Sequence, residues 1–138
     1  IKNVPIVSAL ANYTREFGIN NGIKVRFEVL RGFPQLAPTA ELQLLRIAQE
    51  LLTNVRKHAQ ASQVSIKLET IDQSVEMLVK DNGQGFVLTE PGESPSGYHG
   101  MKIIRERAEG LGGTINVVTA PGKGTEVRVT MPLEKVRL

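Results

Sequence analysis

The chain has no cysteine and no tryptophan, and only two Tyr and four Phe among its 138 residues. Without thiols there is neither a disulfide framework nor a thiolate metal site, which fits the cytoplasm. With so few aromatics there is no stacking platform of the kind that single-stranded nucleic-acid binders use. An excess of one charge is also lacking: the balance is +3 and the basic residues are scattered, without a polybasic run. No nucleic acid is therefore expected as a partner. No apolar run approaches a membrane span and no signal peptide opens the chain, so no direct membrane contact is expected of this segment. It begins at Ile1 instead of Met, as a piece of a longer protein would.

A hydrophobic content of 41% is enough to build one compact domain over residues 1–138. Periodicity predicts a helix near residues 5–18 closed by Gly18, then a strand at 23–30 with Val25, Phe27 and Val29 on one side. A loop through Pro34 and Pro38 leads to a long helix near 40–59, strands near 63–70 and 74–80, a helix near 100–111, and strands near 114–119 and 125–132. Five strands and three helices in runs of both kinds imply an α+β fold, a two-layer α/β sandwich in which a mixed five-stranded sheet packs on three helices. No internal repeat is visible. Residues 87–98 are the one stretch of low hydrophobicity rich in Pro, Gly and Ser, and a loop this long between candidate site segments reads as a lid.

Four segments carry chemistry. In the first, Asp81-Asn82-Gly83-Gln84-Gly85-Phe86 follows a strand in which Val75, Met77 and Val79 alternate with Glu76 and Lys80. Asp81 is thus held at the end of ordered structure while Gly83 and Gly85 let the backbone turn away. In the second, Leu44, Ile47, Ala48, Leu51, Leu52 and Val55 share one apolar arc of the long helix. Glu50, Asn54 and Lys57 run along its margin, with His58 nearer its centre. Asn is a poor choice for a helix interior, and Asn54 implies a reason beyond helix formation. In the third, Gly97, His99, Gly100 and Met101 open a helix that stops at Gly112-Gly113, offering backbone amides to an anion. The fourth is a tight turn, Gly122-Lys123-Gly124, entering a strand at Thr125.

Alone, each segment has a plain structural reading: a hairpin turn, a solvated helix pair, a helix with glycine at both ends. Taken in order, they resemble the ATP-binding domain of the GHKL superfamily, the Bergerat-type fold of gyrase, the ninety-kilodalton heat-shock chaperones, histidine kinases and a mismatch-repair ATPase. The likeness is nearest to bacterial sensor histidine kinases that pair with helix-turn-helix response regulators. It is carried by Gln49-Glu50 through Asn54 to Lys57-His58-Ala59, by Asp81 to Phe86, by His99-Gly100-Met101 with Glu106-Arg107-Ala108, and by Gly124-Thr125-Glu126-Val127. Gly97 and Gly100 stand three apart where the family has a tighter pair, and His58 and His99 both fall inside site motifs. The phosphoacceptor histidine of such kinases sits on a separate helical domain, so this chain looks like a catalytic module without it.

The resemblance implies ATP and Mg²⁺ as cofactors. Asp81 would accept a hydrogen bond from the adenine amine, supported by Thr125, and Gly83 and Gly85 would keep side chains out of the base's path, with Phe86 beside them. Asn54 would coordinate Mg²⁺. Lys57, His58, His99 and the amides at Gly100 and Met101 would meet the phosphates, and Glu50 would orient metal or acceptor. The partners implied are ATP, a histidine-bearing dimerisation domain and, indirectly, a response regulator. Two other readings share the fold: an anti-sigma-factor serine kinase, and a nucleotide sensor that transfers nothing.

Overall fold

The structure, a computed structural model, describes residues 5–30, 32–87 and 100–138. Its elements in chain order are α1 (Pro5–Asn21), β1 (Lys24–Leu30), α2 (Pro38–Asn54), a π-helical turn (Val55–Ala59), β2 (Gln63–Ile71), β3 (Ser74–Asp81), α3 (Gly100–Gly110), β4 (Thr114–Thr119), β5 (Thr125–Pro132) and a short α4 (Leu133–Val136). The sheet order is β1-β2-β3-β5-β4. Only β1 and β2 run parallel, and the other three pairs are antiparallel, so the sheet is mixed as expected.

Alternation decides which face of the sheet is covered. Val64, Ile66 and Leu68 of β2, Val75, Met77 and Val79 of β3, and Val127, Val129 and Met131 of β5 are all buried. The apolar arc of α2, from Leu44 to Val55, lies in the same core with Leu10 of α1 and Ile104 and Ala108 of α3. Burial of this arc against the sheet, worth roughly 1.5–3 kcal/mol for each large side chain, holds α2 where its marginal residues meet the end of β3.

Three expectations are corrected. The first helix does not stop at Gly18 but continues to Asn21. A Cβ at position 18 would lie 2.8 Å from both the Ile23 carbonyl oxygen and Val25 Cγ2, so this glycine lets β1 pass close to the helix. The left-handed closing residue is Gly22, at φ +63. Second, the long helix is α-helical only to Asn54 and then widens into the π turn, which ends at Gln60 in left-handed conformation. Third, helices number four among the described residues, because α4 follows β5. The chain end after it bridges back to Leu36, and Ala37 N donates to the Val136 carbonyl at 2.8 Å, closing the loop before α2.

The third helix behaves as its glycines require. Gly112 is left-handed, at φ +74, and Gly113 N donates to the Ala108 carbonyl at 2.9 Å, so the last carbonyls of α3 are satisfied by its own exit. Arg107 Nη1 donates to Gln43 Oε1 at 2.9 Å and fastens α3 along α2.

Candidate functional site

Sheet register places three polar side chains in one row. Asp81 at the end of β3 pairs with Thr125 at the start of β5, and Thr125 pairs with Thr119 at the end of β4. The next row inward is Val79, Val127 and Val117. A polar end therefore sits on an apolar floor. Leu51 and Asn54 of α2, Val55 and Ala59 of the π turn, and Met101 of α3 complete the walls of a cavity whose floor is Val79 and Val127 and whose end is Asp81 and Thr125. The space open to water there is ≈ 20 Å³, room for one molecule. The buried polar side chains among the described residues are Thr14, Asn54, Asp81 and Thr125, and all but Thr14 line this cavity. Burial of polar groups is costly unless they are partnered, so their convergence marks the place.

Asp81 is oriented by its own turn. Gly83 N donates to Asp81 Oδ1 at 2.8 Å, and the Thr125 backbone amide donates to the same carboxylate. Burial pushes the carboxyl above its ordinary value, with those two amides opposing the shift. Beside it, the Thr119 hydroxyl donates to the Gly124 carbonyl at 3.0 Å, accepts from Phe86 N at 3.1 Å and lies 2.9 Å from Thr125 Oγ1.

The turn after Asp81 is clamped from both sides. Asn82 Oδ1 accepts from Ser62 N and Gln63 N, both at 2.9 Å, while Asn82 Nδ2 donates to Ser62 Oγ at 2.9 Å. Gln84 N donates to the Ala59 carbonyl at 2.7 Å, and Gln84 Nε2 donates to the His58 carbonyl at 2.5 Å. The carbonyls left over at the end of the π turn are thus satisfied by one residue of the glycine loop. On the other side, Gly122 N donates to the Gln84 carbonyl at 2.6 Å.

This clamp gives the glycines a structural reason of their own. A Cβ on Gly83 would collide with the Ala59 carbonyl, and one on Gly85, at φ +65, would collide with the Ala120 carbonyl. Gly124, at φ +75, stands equally close to the Asp81 carbonyl. The glycines let backbone meet backbone around the cavity.

Asn54 is buried at the end of α2, and its Nδ2 lies 3.8 Å from Met101 Sδ. A thioether is a weak acceptor, so the fold makes little use of this amide. Among the described residues no hydrogen bond to Asn54 Oδ1 is formed. Of the other expected residues, Glu50 is half-buried one turn earlier, Lys57 is exposed and His58 is half-buried on the π turn, and Phe86 is half-buried past the clamp. Gly100 is the first residue of α3. None of these lines the cavity. His99 and residues 88–98 of the expected lid lie outside the described residues, and Val87 before them is exposed.

Sequence reading passed over Thr119, Asn82 and Gln84. A signal existed for Thr119: in β4 it follows Ile115 and Val117 on the covered face, where a hydroxyl is out of pattern. Asn82 and Gln84 gave none, because their partners are groups remote in sequence, most of them backbone.

Among known proteins, the family described as histidine kinase-, DNA gyrase B- and HSP90-like ATPase matches residues 39–135. A signal transduction histidine-protein kinase/phosphatase DegS of Brevibacillus brevis is 34% identical over 133 residues, which is 96% of this chain and 34% of that protein. The sensor histidine kinase LiaS of Bacillus subtilis is 39% identical over 93 residues, covering 67% of this chain and 25% of the relative. The chain thus spans about a third or less of the length of these curated relatives. In solved structures, the histidine kinase domain of a blue-light activated histidine kinase from Erythrobacter litoralis superimposes with a TM-score of 0.73 at 22% identity, over 94% of this chain and 62% of that one. Full-length ShkA in complex with AMPPNP gives 0.75 at 20% identity, over 96% of this chain and 30% of that one. Both show the same fold.

Proposed function

The chain belongs to the histidine kinase-, DNA gyrase B- and HSP90-like ATPase family, and from that premise we propose that it is the ATP-binding catalytic domain of a bacterial two-component sensor histidine kinase. It passes the γ-phosphoryl group of ATP to a histidine on a separate dimerisation domain, from which a response regulator is charged. The observation that carries this reading is the cavity with Asp81 and Thr125 at its end, an apolar floor and Asn54 at its side. The lining of this place, once it is widened, suits a flat apolar base with an exocyclic amine: the floor takes the ring face, and the carboxylate accepts from the amine. Met101, a flexible thioether, gives way as the base enters. The names of the relatives, all kinases or sensors among those given above, support phosphoryl transfer as the reaction.

Asn54 Oδ1 is a neutral oxygen donor of the kind Mg²⁺ accepts. Among the described residues there is no cluster of three or more His, Cys, Asp or Glu that would hold a metal without help. Asn54 would therefore hold Mg²⁺ as its protein ligand, and the ion would supply charge neutralisation on the phosphates. Lys57, His58 and the amides of Gly100 and Met101 at the start of α3 meet the remaining phosphate charge. Glu50, half-buried one turn before Asn54, orients metal or acceptor. Gly83, Gly85 and Phe86 hold the turn beside the base, and His99, outside the described residues, is the further residue proposed to meet phosphate. In the transfer, the bond from phosphorus to the β-phosphate oxygen breaks as a phosphorus–nitrogen bond forms on the acceptor imidazole, and ADP leaves. No described helix is long and apolar enough to cross a membrane, and the proposed place of work is the cytoplasm.

Radiolabelled ATP tests this directly. Incubated alone, the chain should gain no acid-labile label, because His58 and His99 flank the phosphates and an in-line acceptor must come from outside. A histidine-bearing helical domain added in trans should become labelled. Stable phosphohistidine at His58 or His99, or no transfer to any such acceptor, would defeat the reading.

A further inference from the structure

The hydroxyl of Thr119 has one proton and two lone pairs, and the structure accounts for all three. The proton goes to the Gly124 carbonyl at 3.0 Å, and one lone pair accepts from Phe86 N at 3.1 Å. What remains toward Thr125 Oγ1, at 2.9 Å, is a lone pair. With the Thr119 proton assigned to the Gly124 carbonyl, Thr125 is the donor in that contact, which commits its only proton to Thr119 and leaves it nothing but lone pairs for the cavity. Asp81, when ionised, is likewise an acceptor only.

We propose that Thr119 is a positioning residue for base selection: by fixing the Thr125 hydroxyl as an acceptor, it makes the whole polar end of the cavity acceptor-only and so excludes purines that present oxygen at the 6-position. This rests on the nucleotide-binding reading above. A 6-amino purine offers two hydrogens at that edge, one for the carboxylate and one for Thr125. A 6-oxo purine offers lone pairs, which face lone pairs. Were Thr125 free to rotate, its O–H would turn inward and accommodate the oxo group. Thr119 alone prevents this, and it does so from outside the cavity, since it is not among the cavity walls. The Phe86 bond adds a second effect: it holds the glycine loop against β4 at the level of Asp81.

The test is calorimetric titration of the wild-type chain, Thr119→Val and Thr119→Ser with ATP and with inosine triphosphate. Val keeps the shape and removes the hydroxyl; Ser keeps the hydroxyl. The wild type and Thr119→Ser should prefer ATP to a similar degree, while Thr119→Val should lose roughly 3- to 10-fold of the ATP-to-inosine-triphosphate affinity ratio, the scale of one hydrogen bond. A purely structural role would weaken both nucleotides together and leave the ratio unchanged, and that result overturns the inference. So does a wild type that binds both nucleotides equally. A wild type that binds neither defeats the nucleotide reading itself, and the inference with it. If Thr119→Val does not fold, Thr119→Cys, whose thiol makes longer and weaker hydrogen bonds, is read by the same ratio.

Discussion

Asp81 combines a local cost with a proposed functional use. Burial holds its carboxyl above the ordinary value of 3.8, against the pull of the Gly83 and Thr125 amides. The folded chain thus favours the neutral acid. Its contribution to stability is fully present below about 3.8 and is lost as pH rises through the raised folded value, so at neutral pH the ionised carboxylate works against folding. Asp81→Asn is expected to leave the thermal midpoint of the empty chain unchanged or to raise it, as scanning calorimetry at neutral pH would show; a clear fall would mean that the carboxylate is a structural residue. Nucleotide affinity runs the other way with pH. It should decline on acidification through the raised value, earlier than an exposed aspartate would allow, because a protonated carboxyl no longer accepts freely from an amine. Asp81 was legible in the sequence from its place at the end of an alternating strand. The structural need for Gly83 and Gly85 was not, since it lies in the carbonyls of Ala59 and Ala120, brought up by other elements.

At the scale of elements, α2 and its π-helical end do most to build the site. Amphipathic spacing fixed the arc from Leu44 to Val55, and that arc sets Asn54 beside the cavity. Spacing could not reveal the change of helix type after Asn54, because composition and period continue unbroken through Val55–Ala59. What distinguishes the turn is tertiary: its last carbonyls are taken by Gln84, on a loop over twenty residues away in sequence. Gly18 misled for a related reason, being required by the approach of Val25 instead of by a helix end. The weak contact of Asn54 with Met101 Sδ leaves its amide available to a ligand. Asn54→Ala should abolish the Mg²⁺-dependent gain in affinity for a non-hydrolysable ATP analogue while leaving metal-free ADP binding largely intact. Equal loss of both, measured by titration with and without Mg²⁺, would make Asn54 a structural residue.

Over the whole molecule, every strand was legible to within a residue or two, and so was the mixed α/β sandwich. Strand order was not. Asp81, Thr125 and Thr119 come from three strands that meet only because β5 inserts between β3 and β4. Alternation fixes which face of a strand is covered but says nothing about its neighbour, so the row of acceptors became visible only in the assembled sheet. The fold thus brings together at one end of the sheet what the sequence disperses over more than forty residues, and Asp81 is the member on which the proposed base recognition depends.

The most direct test of the account is the affinity of ATP for folded Asp81→Asn, measured by isothermal titration calorimetry beside the wild type. The amide would present hydrogens where the carboxylate presented lone pairs, and binding should weaken by about 1–3 kcal/mol, the penalty for a charge-assisted hydrogen bond left unmade in a buried place. Unchanged ATP affinity in a folded Asp81→Asn chain would contradict the account.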